Sequence, residues 1–167
     1  MRITTIYASE IAALDSNVYT GGGTDDTAAL QAALDEAAAK GGVHLIMDGA
    51  ALISGLRIHS NTTIECLSRD CGFFQTPGAN QALISNYNWS FYERQTRNII
   101  LKGGTYNQDC LRQAHDTPVE ECNEEVSRLV EGGHWTFGLE FYGVEHLEIR
   151  DLTVRNFRTF AVTIGGF

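Results

Sequence analysis

Beyond residue 42 the sequence breaks into short apolar segments punctuated by Gly, Asn, Ser and Asp, with one long helical pattern ahead of them and almost none after. The segments are Val43–Met47, Leu52–Ile53, Leu56–Ile58, Thr63–Leu67, Leu83–Ile84, Asn98–Leu101, Leu139–Phe141, Leu147–Ile149, Leu152–Val154 and Phe160–Ile164. Each has the length of a strand and ends in turn-forming residues, so the spacing predicts a chain built mainly of short strands. Within Leu147–Val154 the apolar residues fall at offsets 0, 2, 5 and 7, with a polar corner between two short strands. The same offsets recur from Ile99, on Ile99, Leu101, Gly104 and Tyr106; from Ile64 they start with Ile64 and Cys66 and then break at Arg69. A strand–corner–strand unit that recurs without helices between is what a β-solenoid coil requires. A β-sandwich or jelly roll is the alternative, but it wants tight hairpin turns, and Asp48-Gly49 is the one candidate, between runs of uneven length. The solenoid reading puts Glu148 and Arg150 outside, and Leu147, Ile149, Leu152 and Val154 inside, in one column with Ile99 and Leu101.

The single helical pattern runs from about Asp26 to Ala39, where Leu30 and Leu34 share a face with Ala33, Ala37 and Ala38. Thr24, Asp25 and Asp26 offer N-cap oxygens and negative charge at the positive end of the dipole, and Lys40 with Gly41-Gly42 closes the other end. The preceding Gly21-Gly22-Gly23 is not a phosphate cradle: Gly-Lys-Ser/Thr is missing, and two adjacent aspartates would repel a phosphate.

With 167 residues and 43% hydrophobic content the chain can bury one core, and a single domain is expected over 1–167. A net charge of −9 argues against a nucleic-acid partner, whose phosphates call for clustered Lys and Arg. Arg94, Arg97, Lys102, Arg112, Arg128, Arg150, Arg155 and Arg158 all lie in the second half, which leaves room for a local basic cleft. The segment Met1–Tyr7 lacks the apolar run of a secretory signal, and no later run approaches the ~20 residues that span a bilayer. The expectation is a soluble, cytoplasmic chain without a membrane partner. Cys66, Cys71, Cys110 and Cys122 are spaced too irregularly for a zinc site or a disulfide framework, so buried free thiols are expected, with disulfides the next reading.

Gly22-Gly23-Thr24-Asp25-Asp26-Thr27-Ala28-Ala29-Leu30-Gln31-Ala32-Ala33-Leu34 resembles the opening phrase of pectate-lyase-superfamily and polygalacturonase-like proteins. Gly55-Leu56-Arg57-Ile58-His59-Ser60-Asn61-Thr62-Thr63-Ile64 is similar to that family's first coil. Asn98 through Asn107 resembles a phrase that usually continues into Asp-Gly, where this chain has Gln108. Leu139–Phe141, Val144–Asn156 and Phe160–Ile164 look like the coil just before the family's catalytic region. The resemblance implies an all-β fold, a right-handed parallel β-helix with an N-terminal capping α-helix over 24–41, and a glycoside hydrolase acting on acidic or plant-type saccharides without a cofactor or metal. It also implies that this is the N-terminal part of such a helix, because the family's Asn-x-Asp, Asp-Asp, Gly-His-Gly and Arg-x-Lys motifs all follow the coils matched here, so no active-site residue carries over.

Candidate chemistry therefore comes from the residues themselves. Alternation along Leu139-Glu140-Phe141-Tyr142 turns Leu139 and Phe141 inward and Glu140 and Tyr142 outward, making Glu140 the first candidate carboxylate and Tyr142 a substrate contact. The region 107–134 reads as an acidic inserted loop or lid, in which His115-Asp116 offers a second carboxylate, Asp116, and a proton shuttle. An aromatic loop, Asn86-Tyr87-Asn88-Trp89-Ser90-Phe91-Tyr92, offers Trp89 as a sugar-stacking face, and Arg158 is a further substrate-binding candidate. A polysaccharide lyase using Arg150, Arg155 or Arg158 as proton acceptor and a non-catalytic carbohydrate-binding module are the alternatives. Phe160, Val162, Ile164 and Phe167 form an apolar end that is expected to meet a second copy, most simply in a two-fold dimer, unless the 107–134 loop covers it.

Overall fold

The computed structural model describes residues 2–113, 137–157 and 160–166. The chain begins with β1 (Thr4–Tyr7) and, after an irregular stretch, forms α1 (Thr27–Ala39). It then passes repeatedly through three sheets. β2 (Val43–Met47), β3 (Ala50–Ile53) and β4 (Leu56–Ile58) make the first circuit, and β5 (Thr62–Cys66), β6 (Gly72–Gln75) and β7 (Ile84–Asn86) the second. β8 (Thr96–Lys102), β9 (Thr105–Asn107) and β10 (Leu139–Tyr142) make the third, and β11 (Val144–Arg150), β12 (Thr153–Arg155) and β13 (Val162–Gly165) the fourth. The sheets have the orders β1-β2-β5-β8-β11, β3-β6-β9-β12 and β4-β7-β10-β13. Strand pairing among the described residues is parallel throughout. The hairpin left open at Asp48-Gly49 does not form, since β2 and β3 belong to different sheets.

Stacking places like residues over like. Leu45, Ile64, Leu101 and Ile149 share one inward column, and Ala51, Phe73, Tyr106 and Val154 another. A third column is Leu56, Ile84, Leu139 and Val162. The offset repeat read from Ile64 was out of register by one pair. Thr62 aligns with Ile99, and Ile64 with Leu101, and the pattern breaks at Arg69 because the corner over Leu67–Cys71 is longer than the Gly103-Gly104 corner above it. Glu148 and Arg150 are exposed as expected, but Leu147, Ile149, Leu152 and Val154 are only half-buried, because no described strand stacks beyond them. Along the first sheet a left-handed residue repeats, Asn61 (φ 61°) just before β5, Asn98 (φ 55°) within β8 and His146 (φ 61°) within β11. Asparagine tolerates that conformation better than most side chains, and Asn98 Nδ2 donates to Asn61 Oδ1 at 2.8 Å.

Helix α1 packs Leu30, Leu34 and Ala37 against β2 and β4. Its start differs in detail from the expectation. Asp25, not Asp26, acts as the local cap, accepting from the Thr27 backbone N–H at 2.9 Å. The Asp26 carboxylate is buried and turns away, accepting from the amides of Ala13 (2.8 Å) and Leu14 (3.1 Å), so it ties the N-terminal segment to the helix. Cys66 and Cys71 are buried thiols outside any disulfide, as expected, whereas Cys110 is only half-buried and Cys122 lies outside the described residues; burial pushes the Cys66 thiol up to about 12. Among the described residues no helix is long and apolar enough to cross a membrane.

Candidate functional site

On the third sheet every second side chain faces out, and the register aligns those side chains across circuits. Arg57 pairs with Ser85, Ser85 with Glu140, and Glu140 with Thr163. With strands ~4.8 Å apart, this is a polar row in which Arg57 and Glu140 stand roughly 10 Å from each other along the backbone. Arg57, Ser85, Glu140, Gln81 and Trp89 line a cleft of about 100 Å³. That is far below the ~300–1,000 Å³ that enclose a small ligand, so the cleft suits one edge of a longer ligand lying along the sheet.

Two of the expected substrate contacts meet here. Tyr142 follows Glu140 on the same outer face, and its ring packs on Phe91 (centroids 4.6 Å apart) and Trp89 (5.7 Å). Trp89 stands edge-on to Phe91 at 5.5 Å and is still 59% exposed, so an apolar ring surface borders the cleft. The loop that carries Trp89 and Phe91 is fastened by Asn86, which sits at the inward end of β7. Its Nδ2 lies within hydrogen-bond distance of the Asn88 carbonyl (3.0 Å), Thr96 Oγ1 (3.0 Å) and the Tyr142 carbonyl (2.9 Å), and its Oδ1 accepts from the Tyr142 N–H at 3.0 Å.

Glu140 is half-buried, and loss of solvent raises its carboxyl above the ordinary glutamate range. Tyr142 is shifted up as well, first by desolvation and then by the neighbouring Glu140 charge. A carboxyl held toward its neutral form can deliver a proton, which is the requirement for a general acid. Thr163, next in the row, has a buried hydroxyl without a hydrogen-bond partner among the described residues.

The other expected residues fall elsewhere. Asp116 and Arg158 lie outside the described residues, as do His115 and most of the 107–134 insertion. Arg150 is on the first sheet, paired with Glu148 at 2.9 Å, and Arg155 is on the second, over the Tyr19 ring, so neither reaches this cleft as a lyase base. Arg57, Ser85 and Gln81 were missed. Alternation about Leu56 and Ile58 does turn Arg57 outward, but only the register sets it in line with Glu140.

No family model matches the chain, and no curated protein matches it. Among solved structures it is similar to a crystal structure from Parabacteroides merdae whose assignment as a glycosyl hydrolase is provisional. The TM-score is 0.70 at 20% identity, with 97% of this chain and 69% of that chain covered. These observations define the class as a mostly-β chain with, among the described residues, three parallel sheets and one α-helix. Its fold is like that of the Parabacteroides merdae protein.

Proposed function

We infer that the chain is a right-handed parallel β-helix of the pectin-lyase-like, polygalacturonase-related kind, and that it acts on an oligo- or polysaccharide along the outer face of its third sheet. One observation carries the reading: a half-buried carboxylate with a raised titration range, Glu140, lies in a cleft with Arg57 and Ser85 and beside the exposed ring of Trp89. Aromatic faces accept the apolar faces of sugar rings, and the guanidinium, hydroxyl and amide groups suit sugar hydroxyls or a uronate carboxylate. In the hydrolase mechanism Glu140 protonates the glycosidic oxygen as the bond to the leaving sugar breaks. A second carboxylate, proposed to be Asp116, then activates water or attacks the sugar carbon from the other side.

A binding module is the second reading, favoured by the fact that Glu140 is the only carboxylate among the described residues lining the cleft. The two separate on a panel of neutral glycosides and acidic polysaccharides assayed for reducing-sugar release, with Glu140→Gln alongside. The hydrolase reading expects release by the wild-type chain and a loss of about 100-fold or more in the variant, as for removal of a general acid. Saccharide binding without release on any member leaves the binding module.

A further inference from the structure

Around the corner from the Glu140 cleft, where the C-terminal end of α1 meets the turn between β4 and β5, lies a larger groove of about 570 Å³. Its walls are Asp35, His59, Ser60, Tyr87 and Asn88, over a floor of small residues at the end of the helix. The aromatic loop thus divides: Trp89 belongs to the cleft, while Tyr87, two residues earlier, faces this groove.

The groove is held rigid by a relay of contacts. Gln31 on α1 donates from Nε2 to Asp35 Oδ1 at 2.8 Å, and its amide also bonds the backbone N–H (2.9 Å) and carbonyl (2.9 Å) of Arg57. Asp35 Oδ1 in turn bonds His59 Nε2 at 2.8 Å. The His59 ring stacks on Tyr87 with centroids 4.5 Å apart and planes 24° off parallel. The Tyr87 backbone is fixed as well, its N–H donating to the Ile58 carbonyl at 2.8 Å. Although His59 covers one face, Tyr87 is 49% exposed, so an aromatic surface is presented in a set orientation. Asp35 Oδ2 accepts nothing from the described residues, and the Asn88 side chain is exposed.

We propose that this groove is a second saccharide site, separate from the Glu140 cleft, which takes one neutral pyranose ring by stacking on Tyr87 while Asp35 Oδ2 and the Asn88 carboxamide hold its hydroxyls. The charge pattern selects neutral over anionic sugars. Among the described residues no lysine or arginine lines the groove, Asp35 is a carboxylate, and the helix end that forms the floor is the negative end of its dipole. A metal is disfavoured because Asp35 and His59 have no third His, Cys, Asp or Glu beside them among the described residues. The proposal rests on the carbohydrate reading of the chain but on different residues, and the site binds without reacting.

A single ring bound through one face is a weak ligand, of roughly millimolar affinity, so the test is protein-observed NMR at high sugar concentration. Glucose, galactose, mannose and xylose are titrated separately, with galacturonate as the anionic comparison. The expected result is that at least one neutral sugar shifts the amides of His59, Ser60, Tyr87 and Asn88, and that galacturonate does so at least ten-fold more weakly. Tyr87→Ala weakens the effect at least ten-fold, Asp35→Asn weakens it too, and Tyr87→Phe and Glu140→Gln leave it in place. An unchanged amide spectrum away from the groove shows that each variant is folded. Shifts confined to Ser85, Trp89 and Glu140 overturn this inference and leave the cleft reading standing; shifts at the groove alone bear it out and leave the cleft, which takes a longer ligand, to its own oligosaccharide test. No shift with any sugar, or shifts indifferent to Tyr87→Ala, overturns it as well.

Discussion

Glu140 has a consequence for stability that does not depend on any substrate. Its folded carboxyl is raised by desolvation, so the folded chain holds that proton more tightly than the unfolded chain does. The contribution favours folding at low pH and is lost as pH rises through the ordinary carboxyl range toward the raised one. At neutral pH the ionised group is a net cost, small because the side chain is only half-buried. Glu140→Gln should therefore be slightly more stable than wild type at pH 7, within about 1 kcal/mol, and the difference should close as the pH falls through that range. Denaturant melts at several pH values read this out, and a variant that is less stable at pH 7 contradicts the burial argument. Asn86 makes the complementary case. Its buried carboxamide ties β7, the aromatic loop and β10 together, and Asn86→Ala strips partners from several buried polar groups at once. A loss of about 2–4 kcal/mol is expected, with Trp89 and Phe91 released from Tyr142.

Among the elements, the helix and the alternating strands were legible in the sequence because a single face of each meets the core, so apolar periodicity reports the fold directly. β6 was not legible. All four of its residues, Gly72-Phe73-Phe74-Gln75, are buried, since Gly21 and Arg112 cover Phe74 on the outside while Phe73 points inward. A strand covered on both faces loses the period-2 signal. The candidate site divides along the same line. Glu140 and Tyr142 follow from alternation within one strand, whereas their alignment with Arg57 and Ser85 depends on corner lengths that vary from circuit to circuit, and local pattern does not encode these. Asp26 shows the limit at a helix start, because three consecutive cap candidates cannot be told apart until the Ala13 and Leu14 amides are known to need an acceptor. Asp26→Ala leaves both amides without their acceptor beneath a buried position and is expected to cost about 2–4 kcal/mol, more than removal of an ordinary cap, whereas Asp25→Ala should cost about 1 kcal/mol. Thermal or urea unfolding of the two variants checks the order.

At the scale of the molecule, the three sheets end together in β11, β12 and β13, with Phe160 and Ile164 exposed beside them. Among the described residues no strand pairs beyond these three, and parallel edges over half-buried apolar columns invite pairing with another chain. Sedimentation at micromolar concentration is expected to show a dimer that Ile164→Lys disperses, and a wild-type monomer contradicts that expectation; Phe167, named for the same contact, lies outside the described residues. The larger claim is that the outer face of the third sheet receives a saccharide. The direct measurement is calorimetric titration with neutral and acidic oligosaccharides of several residues, comparing wild type with Trp89→Ala and Arg57→Ala. At least one oligosaccharide should bind the wild-type chain and bind Trp89→Ala at least ten-fold more weakly, with Arg57→Ala selectively weakening acidic ligands. If no oligosaccharide in the set binds, or if binding is indifferent to both substitutions, the outer face of the third sheet is not the site.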